Sequence, residues 1–464
     1  MTARRSLDRR IIALAVPAAG SAMLHIVHSA VDMYWIGKLG TESLASISVA
    51  RVTVWMFGAL GVLMGVGLTA LVARYVGAGR SDGARYVGGQ GLRWSTVIGI
   101  LAGAAGWVLT PFVFTAANAA PSVAEAGATY TRIFWAGGVF VLLQQAGDAI
   151  FRGHGNTRIP FLIAVLALTV NVVLDPILIH GWGPIPAMGV PGAAWATLAA
   201  TVLGAVLVLL ALVRQGHLAQ TRPSDEELRL SDDTPLGMPG GFGLDTKVLR
   251  RITRVGAPLA ASSLFFTGIY LVIHRIAADA DGAAAQAGLG IGHTGEGVAY
   301  VICMGWSAAA SAVVGQSLGA GDTELAERAA WRAVLQCGLI CFVWGLVLFF
   351  FADELARVLT LTQDGDHAAR VHAASYFRIV AFCLVPQAME IVLDGAFGGA
   401  GLTLPPMIIS TVFSLLRIPM SIWMAFDLGM GAAGIWWTIA ITAALRGLVA
   451  GGWFLRGTWK TRTV

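Results

Sequence analysis

The sequence predicts an all-α integral membrane protein: twelve transmembrane helices in two six-helix bundles related by a parallel, pseudo-two-fold internal repeat. Three observations predict it. The 464 residues are 56% hydrophobic and only 12% charged, with mean hydropathy +0.73, whereas charged residues approach a quarter of an ordinary soluble chain. Apolar runs of about 20 residues, long enough to cross hydrocarbon as a helix, recur twelve times between turn signals. Motifs of the first half return in the second.

In chain order the spans are expected at 11–36, 46–74, 90–114, 127–151, 160–181, 189–214, 252–276, 286–314, 330–352, 370–396, 404–427 and 431–456. Arg4, Arg5, Arg9 and Arg10 lead straight into the first apolar run without a small-residue cleavage site, which reads as an anchor helix starting in the cytoplasm. With an even number of spans both termini then lie on that side. Basic residues agree: 22 of the 31 fall on the expected cytoplasmic side and seven outside, leaving Arg417 and Arg446 within spans. The expected home is the cell (plasma or inner) membrane. The net charge of +5 sits in short loops, so it reports topology and not a nucleic-acid partner.

One long loop interrupts the pattern. Residues 215–246, with Pro223-Ser-Asp-Glu-Glu227 and the Gly/Pro-rich run 235–241, read as a polar cytoplasmic linker between an N-terminal bundle at 1–214 and a C-terminal bundle at 247–464. The four cysteines, Cys303, Cys337, Cys341 and Cys383, all fall in apolar spans. Cys337 and Cys341 share a helix face, but no metal set is completed in the sequence, so the reading is small packing residues and no metal site of that kind.

The two halves correspond residue by residue. Gly77-Ala-Gly79 returns as Gly319-Ala-Gly321, Asp148-Ala-Ile-Phe151 as Asp394-Gly-Ala-Phe397, Pro17 as Pro258, Pro176 as Pro419, and Gly192-Ala-Ala-Trp195 as Gly434-Ile-Trp-Trp437. Six spans per half give both repeats the same orientation, which places a cleft between two bundles that rock about it. A duplicated scaffold without transport is the alternative.

Polar residues inside spans are the functional candidates. Asn171 and Asp175, four apart, share one helical face, and Pro176 frees the carbonyl of Val172 one turn below the acid. A carboxylate in hydrocarbon survives mainly when it faces a bundle interior or a watery cavity. A neutral carboxyl hydrogen-bonded for helix packing is the competing reading.

Together these stretches resemble the multidrug and toxic compound extrusion (MATE) transporters. The resemblance rests on Val31-Asp32-Met-Tyr-Trp-Ile-Gly37-Lys-Leu-Gly40, the paired Gly-Ala-Gly turns, Gly153-His-Gly155-Asn156-Thr157 before Pro160, and Asn171-x-x-x-Asp175-Pro176 followed by Gly192-Ala-Ala-Trp-Ala-Thr197. It implies a V-shaped cleft between two six-helix bundles and export of organic cations and other amphipathic compounds against an inward flow of protons or sodium. It also implies that Asp32 is the helix-1 acid, that Pro17 bends helix 1 when that acid is protonated, and that Asn171, Asp175 and Thr197 complete an N-terminal cation pocket, with sodium possible at Asp32, Asn171 and Asp175. One departure is informative. Where NorM-like members carry a glutamate after an aromatic pair, Phe265-Phe266 is followed here by Thr267, which favours the DinF-like branch with ion coupling in the N-terminal bundle. At 1.5 Å per residue Asp32 lies about 31 Å, and Asp175 about 22 Å, from the inner face, with Thr197 about 12 Å below the outer one, so all three share the outer half.

Glu296, near mid-membrane with His293 one turn earlier, is a candidate second proton or substrate group, or a packing acid. Asp148 and Asp394 read as loop anchors, and Glu390 as an ion-pair partner of Arg417 or Arg446. The sequence carries no His-Glu-x-x-His, Gly-x-Ser-x-Gly or phosphate-loop motif and is not read as an enzyme, nor as needing a cofactor beyond the coupling ion. The expected partners are small amphipathic or cationic molecules and the lipid bilayer, the protein acting as a monomer. The competing functions are a lipid-linked oligosaccharide flippase, which would need a basic cleft, and a non-transporting membrane sensor, which would need a folded soluble domain.

Overall fold

A computed structural model describes residues 2–116, 120–218, 223, 243–360 and 367–461, and among them every regular element is helical. In a bilayer each backbone N–H and C=O must be satisfied within the spanning segment, and these apolar runs satisfy them as helices. The first half holds α1 (Thr2–Gly37), α2 (Thr41–Gly77), α3 (Ser81–Ala116), α4 (Pro121–Ala136), α5 (Gly138–Gly153), α6 (Arg158–His180) and α7 (Val190–Arg214). The second holds α8 (Thr246–Gly319), α9 (Thr323–Phe350), α10 (Ala352–Thr360), α11 (His367–Val380), α12 (Leu384–Ala400), α13 (Leu404–Ile422) and α14 (Ala432–Leu455). Proline opens α4, α7 and α13, where its missing N–H costs nothing.

Ten helices are long and apolar enough to cross a membrane among the described residues. Two breaks raise the count. The α4–α5 pair bends by 47° at Gly137 and makes one broken span. The 74 residues of α8 would extend about 110 Å, several bilayer cores end to end. Instead the helix breaks at Asp281 and Gly282, the latter at φ 75°, and His293 returns to meet Tyr270 and His274 edge-on at 4.9 and 5.8 Å between ring centres. With α8 counted as two crossings and α4–α5 as one, twelve spans result, and each falls on an expected run.

The repeat is written in the backbone. Gly189 and Gly431, before α7 and α14, adopt nearly identical left-handed conformations (φ 61°, ψ −139° and φ 57°, ψ −142°). The break between α4 and α5 has its counterpart in the 3-10 turn Ala381–Cys383 between α11 and α12. Glycine contacts repeat as well. A Cβ on Gly77 would stand 1.9 Å from the Gln316 carbonyl oxygen, and one on Gly319 would stand 2.1 Å from that of Arg74, so the ends of α2 and α8 approach backbone to backbone in a reciprocal pair.

Contacts divide the chain into two compact units. One comprises Gly20–Ala257 and Gly315–Gly321; the other gathers 2–19, 258–314 and 322–461. Thus the start of α1 packs in the unit built mostly from the second half, with Gly305 against the Ala15 carbonyl, and the start of α8 packs in the unit built mostly from the first, with Gly256 against the Leu63 carbonyl. The first unit's core includes Met64, Leu68, Tyr75, Phe151 and Val208 together with Val248 and Ile252 from that α8 segment. Lipid-facing surface is plain on α9, where Leu335, Leu339, Phe342, Val343 and Leu346 are exposed on one side while Cys337, Cys341 and Leu348 are buried on the other.

The end of the long loop is fastened. Gly243 and Asp245 bond to Tyr86, Gln90, Arg93 and Trp94 of α3, while Asp245 caps α8 by accepting from the N–H groups of Lys247 and Val248. The expected polar stretch of the linker at 219–222 and 224–242 lies outside the described residues.

Candidate ion-coupling site

The helical period brings Asn171 and Asp175 together on α6, where Asn171 Nδ2 donates to Asp175 Oδ1 at 3.3 Å. Both are fully buried. From α1, in the same unit, the Asp32 side chain interacts with both of them, so two carboxyl groups and an amide converge from two helices. His28, one turn before Asp32, places Nε2 3.6 Å from Asp32 Oδ1. The four atoms Asp32 Oδ1, Asn171 Oδ1, Asp175 Oδ2 and His28 Nε2 are buried without a hydrogen-bond partner. Each such orphan costs about 1–3 kcal/mol if nothing meets it.

That arrangement has clear chemistry. Two adjacent carboxyl groups in an apolar surround do not both stay charged on their own: they share a proton, or a cation is held between them. The three unpartnered oxygens are hard donors, suited to a hard cation as well as to a proton. Pro17 and Pro176 both lie inside unbroken helices, α1 and α6. Each removes one internal hydrogen bond from the helix that carries an acid of the site.

Thr197 lies on α7 with its Oγ1 buried and making no hydrogen bond, and so none to the three-residue cluster. It lines a small hollow with Tyr130, Phe134, Gly137 and Val141. Glu296 belongs to the other unit. It accepts from Tyr376 Oη at 2.5 Å and from Gln387 Nε2 at 2.8 Å, while the neighbouring His293 keeps Nε2 buried and without a hydrogen bond. Glu390 pairs with Arg446 at 3.2 Å, and Arg417 bonds to Tyr270 Oη and Thr442 Oγ1 and lies over the rings of Phe266 and Tyr270. Beside Ile418 and Phe265, α8 and α13 border an apolar recess of about 620 Å³. The side chain of Thr267, which stands where NorM-like members carry a glutamate, lies outside the described residues.

Sequence reasoning missed His28. The signal was present, since its spacing of four from Asp32 repeats that of Asn171 and Asp175. A histidine one turn from an acid, however, gains meaning only once the face it shares is known to point inward.

Comparison with known proteins places this geometry. The MatE family pattern matches residues 17–177 and 258–423, taking in both repeats. A probable multidrug resistance protein NorM of Thermotoga maritima is 25% identical over 464 residues, 99% of this chain and 94% of the relative. An FAD transporter of Shewanella oneidensis is 24% identical, covering 76% of this chain and 75% of its own. Among solved structures, a MOP superfamily transporter from Pyrococcus furiosus, described as having a binding pocket of reverse polarity, superposes with TM-score 0.87 at 24% identity, over 98% of this chain and 97% of that one. A MATE protein in the straight conformation superposes with TM-score 0.86 at 23% identity and the same coverage. With the family pattern spanning both repeats and the fold shared from end to end, the chain belongs to the MatE family, the multidrug and toxic compound extrusion transporters, and is a multi-pass membrane transporter of small molecules.

Proposed function

We propose that this transporter is an antiporter that exports amphipathic, often cationic, organic compounds in exchange for protons or sodium ions, coupled through Asp32, Asn171 and Asp175. The observation that carries the reading is the convergence of Asp32, Asn171 and Asp175 with one unpartnered buried oxygen on each. A proton or a cation resolves both the shared charge and the missing partners, so loading the site changes which arrangement of α1 is favoured. Filled and empty sites then prefer different shapes of one pocket, and this is how ion entry expels substrate. Pro17 supplies a cheap bend in the helix that carries Asp32. Thr197 joins the cluster only if α7 moves toward it.

Glu296 is assigned a part in substrate binding, since it sits with Tyr376 and Gln387 in the unit that also borders the apolar recess. A recess of that volume suits the body of a drug-sized amphipathic molecule. The protein is read as a monomer in the cell membrane with both termini cytoplasmic. A lipid-linked oligosaccharide flippase fits less well, because the two basic residues within spans are already engaged, Arg446 by Glu390 and Arg417 by two hydroxyls.

The test is efflux of a fluorescent organic cation from vesicles containing the purified protein, with a proton or a sodium gradient imposed separately. One of the two gradients is expected to drive export in wild type and neither in Asp32→Asn. Gradient-driven export that survives in Asp32→Asn would overturn the coupling assignment.

A further inference from the structure

Cys337 and Cys341 stand one turn apart on α9, and the fold brings Cys303 of α8 against them. Cys303 Sγ lies 3.6 Å from Cys337 Sγ and 3.6 Å from Cys341 Sγ, and all three sulfurs lie within 4.8 Å of one another. All three residues are buried and free of disulfides. Three sulfurs held about 2.3 Å from one ion at tetrahedral angles would stand about 3.8 Å apart. The two 3.6 Å spacings to Cys303 match this to within a few tenths of an ångström, and the third pair lies within 4.8 Å.

A second observation concerns access. Gln336, beside Cys337, accepts from Trp306 Nε1 and donates to Asp8 Oδ1 at 3.0 Å. Asp8 is about a third exposed and lies 3.9 Å from Arg332. A line of polar groups therefore runs from solvent near the start of α1 to the turn of α9 that carries the thiols, all within one compact unit.

We propose that Cys303, Cys337 and Cys341 form a binding site for a thiophilic divalent cation of the zinc and cadmium class. Soft thiolate donors select such ions over the hard cations suited to Asp32 and Asp175. Binding exchanges the three S–H protons for one divalent ion, releasing the protons to solvent and leaving one net negative charge. The fourth tetrahedral position stays open for water, as in zinc sites with three protein ligands. The ion joins α8 to α9, and the site is independent of the coupling residues.

The test is cadmium binding by the purified full-length protein in detergent under argon, read by the ultraviolet sulfur-to-cadmium charge-transfer band and by metal analysis after dialysis. One cadmium per chain with a thiolate band is expected. Cys303→Ala should weaken binding at least 100-fold, and Cys383→Ala should leave it unchanged. If Cys303→Ala fails to fold, Cys303→Ser, which keeps the size and removes the soft donor, decides: it should bind cadmium at least 100-fold more weakly than wild type. Absence of a thiolate band, or undiminished binding in folded Cys303→Ala or Cys303→Ser, would each overturn the proposal.

Discussion

Tyr86 Oη donates to Asp245 Oδ2 at 3.2 Å across 159 residues of chain, and the other oxygen of the same carboxylate caps α8. With Trp94 Nε1 on the Asp245 carbonyl at 3.0 Å and Gln90 Oε1 accepting from its N–H at 2.9 Å, this one residue fixes where the long loop ends. Asp245→Ala removes a helix cap and one acceptor of the buried Tyr86 hydroxyl. A loss of about 2 kcal/mol is expected, read as a lowered melting temperature of the purified protein. Shortening the loop within 224–242 should leave export intact, because that stretch is polar and serves as a spacer. Export lost on moderate shortening, with expression retained, would contradict the second expectation.

Asp32→Asn and Asp175→Asn should each lower gradient-driven export at least tenfold while leaving the protein folded in the membrane. If the two act as one unit, the double variant is no worse than either single, and a double-mutant cycle of transport rates measures this. His28→Ala should give a smaller loss, since its Nε2 stands 3.6 Å from Asp32 Oδ1, beyond hydrogen-bond distance. A His28 variant as inactive as Asp32→Asn would make the histidine a direct carrier of the ion.

Glu296→Gln keeps one acceptor for Tyr376 or Gln387 but removes the charge. It should weaken export of cationic compounds several-fold more than that of neutral ones, and leave coupling to the ion gradient in place. Apparent affinities for a matched cationic and neutral pair give the comparison. Equal losses for both would mark Glu296 as structural.

Any side chain at Gly77 or Gly319 meets a backbone carbonyl at about 2 Å. Gly77→Val and Gly319→Val should each cost at least the 1–3 kcal/mol typical of overpacking, seen as loss of folded protein after detergent extraction. Gly79→Asn is the control. Its left-handed conformation suits asparagine and its Cβ meets nothing within 4 Å.

Outside the spans, the rings of His154 and His217 stack at 3.9 Å between centres. Burial, then the neighbouring His154 and Arg85, push His217 down to about 4, and burial with Arg85 also holds His154 below its ordinary value. In the unfolded chain these imidazoles take up protons near pH 6.5, before the folded ones do. Stability present above about pH 6.5 is therefore lost progressively as the pH falls toward 4. The drop in melting temperature between pH 7.5 and 5 should shrink in His217→Gln; an unchanged drop would place the pH dependence elsewhere.

Legibility in the sequence followed periodicity and chain distance. The twelve spans were legible because each is a long apolar run, and Asn171 with Asp175 because a spacing of four on one helix is a local pattern. The α8 hairpin was legible as two runs, though its turn at Asp281 and Gly282 lacks the length of a loop and the helix runs on almost to the break. The third thiol of the cysteine cluster was not legible, since Cys303 and Cys337 lie 34 residues apart on different helices and only packing joins them. The same holds for Asp245, whose partners on α3 are more than 150 residues away in a stretch that reads as plain polar linker.

The exchange of helix starts bears on how such a chain can be cut. Residues 2–19 complete the unit made from the second half, and 246–257 complete the unit made from the first. A nick within 224–242 thus yields two fragments that each lack a piece of their own core and carry a piece of the other's. Neither fragment is a finished folding unit, and the two are obliged to complement each other. A single half expressed alone would have one copy of itself as the nearest substitute, each lending its first turns to the other.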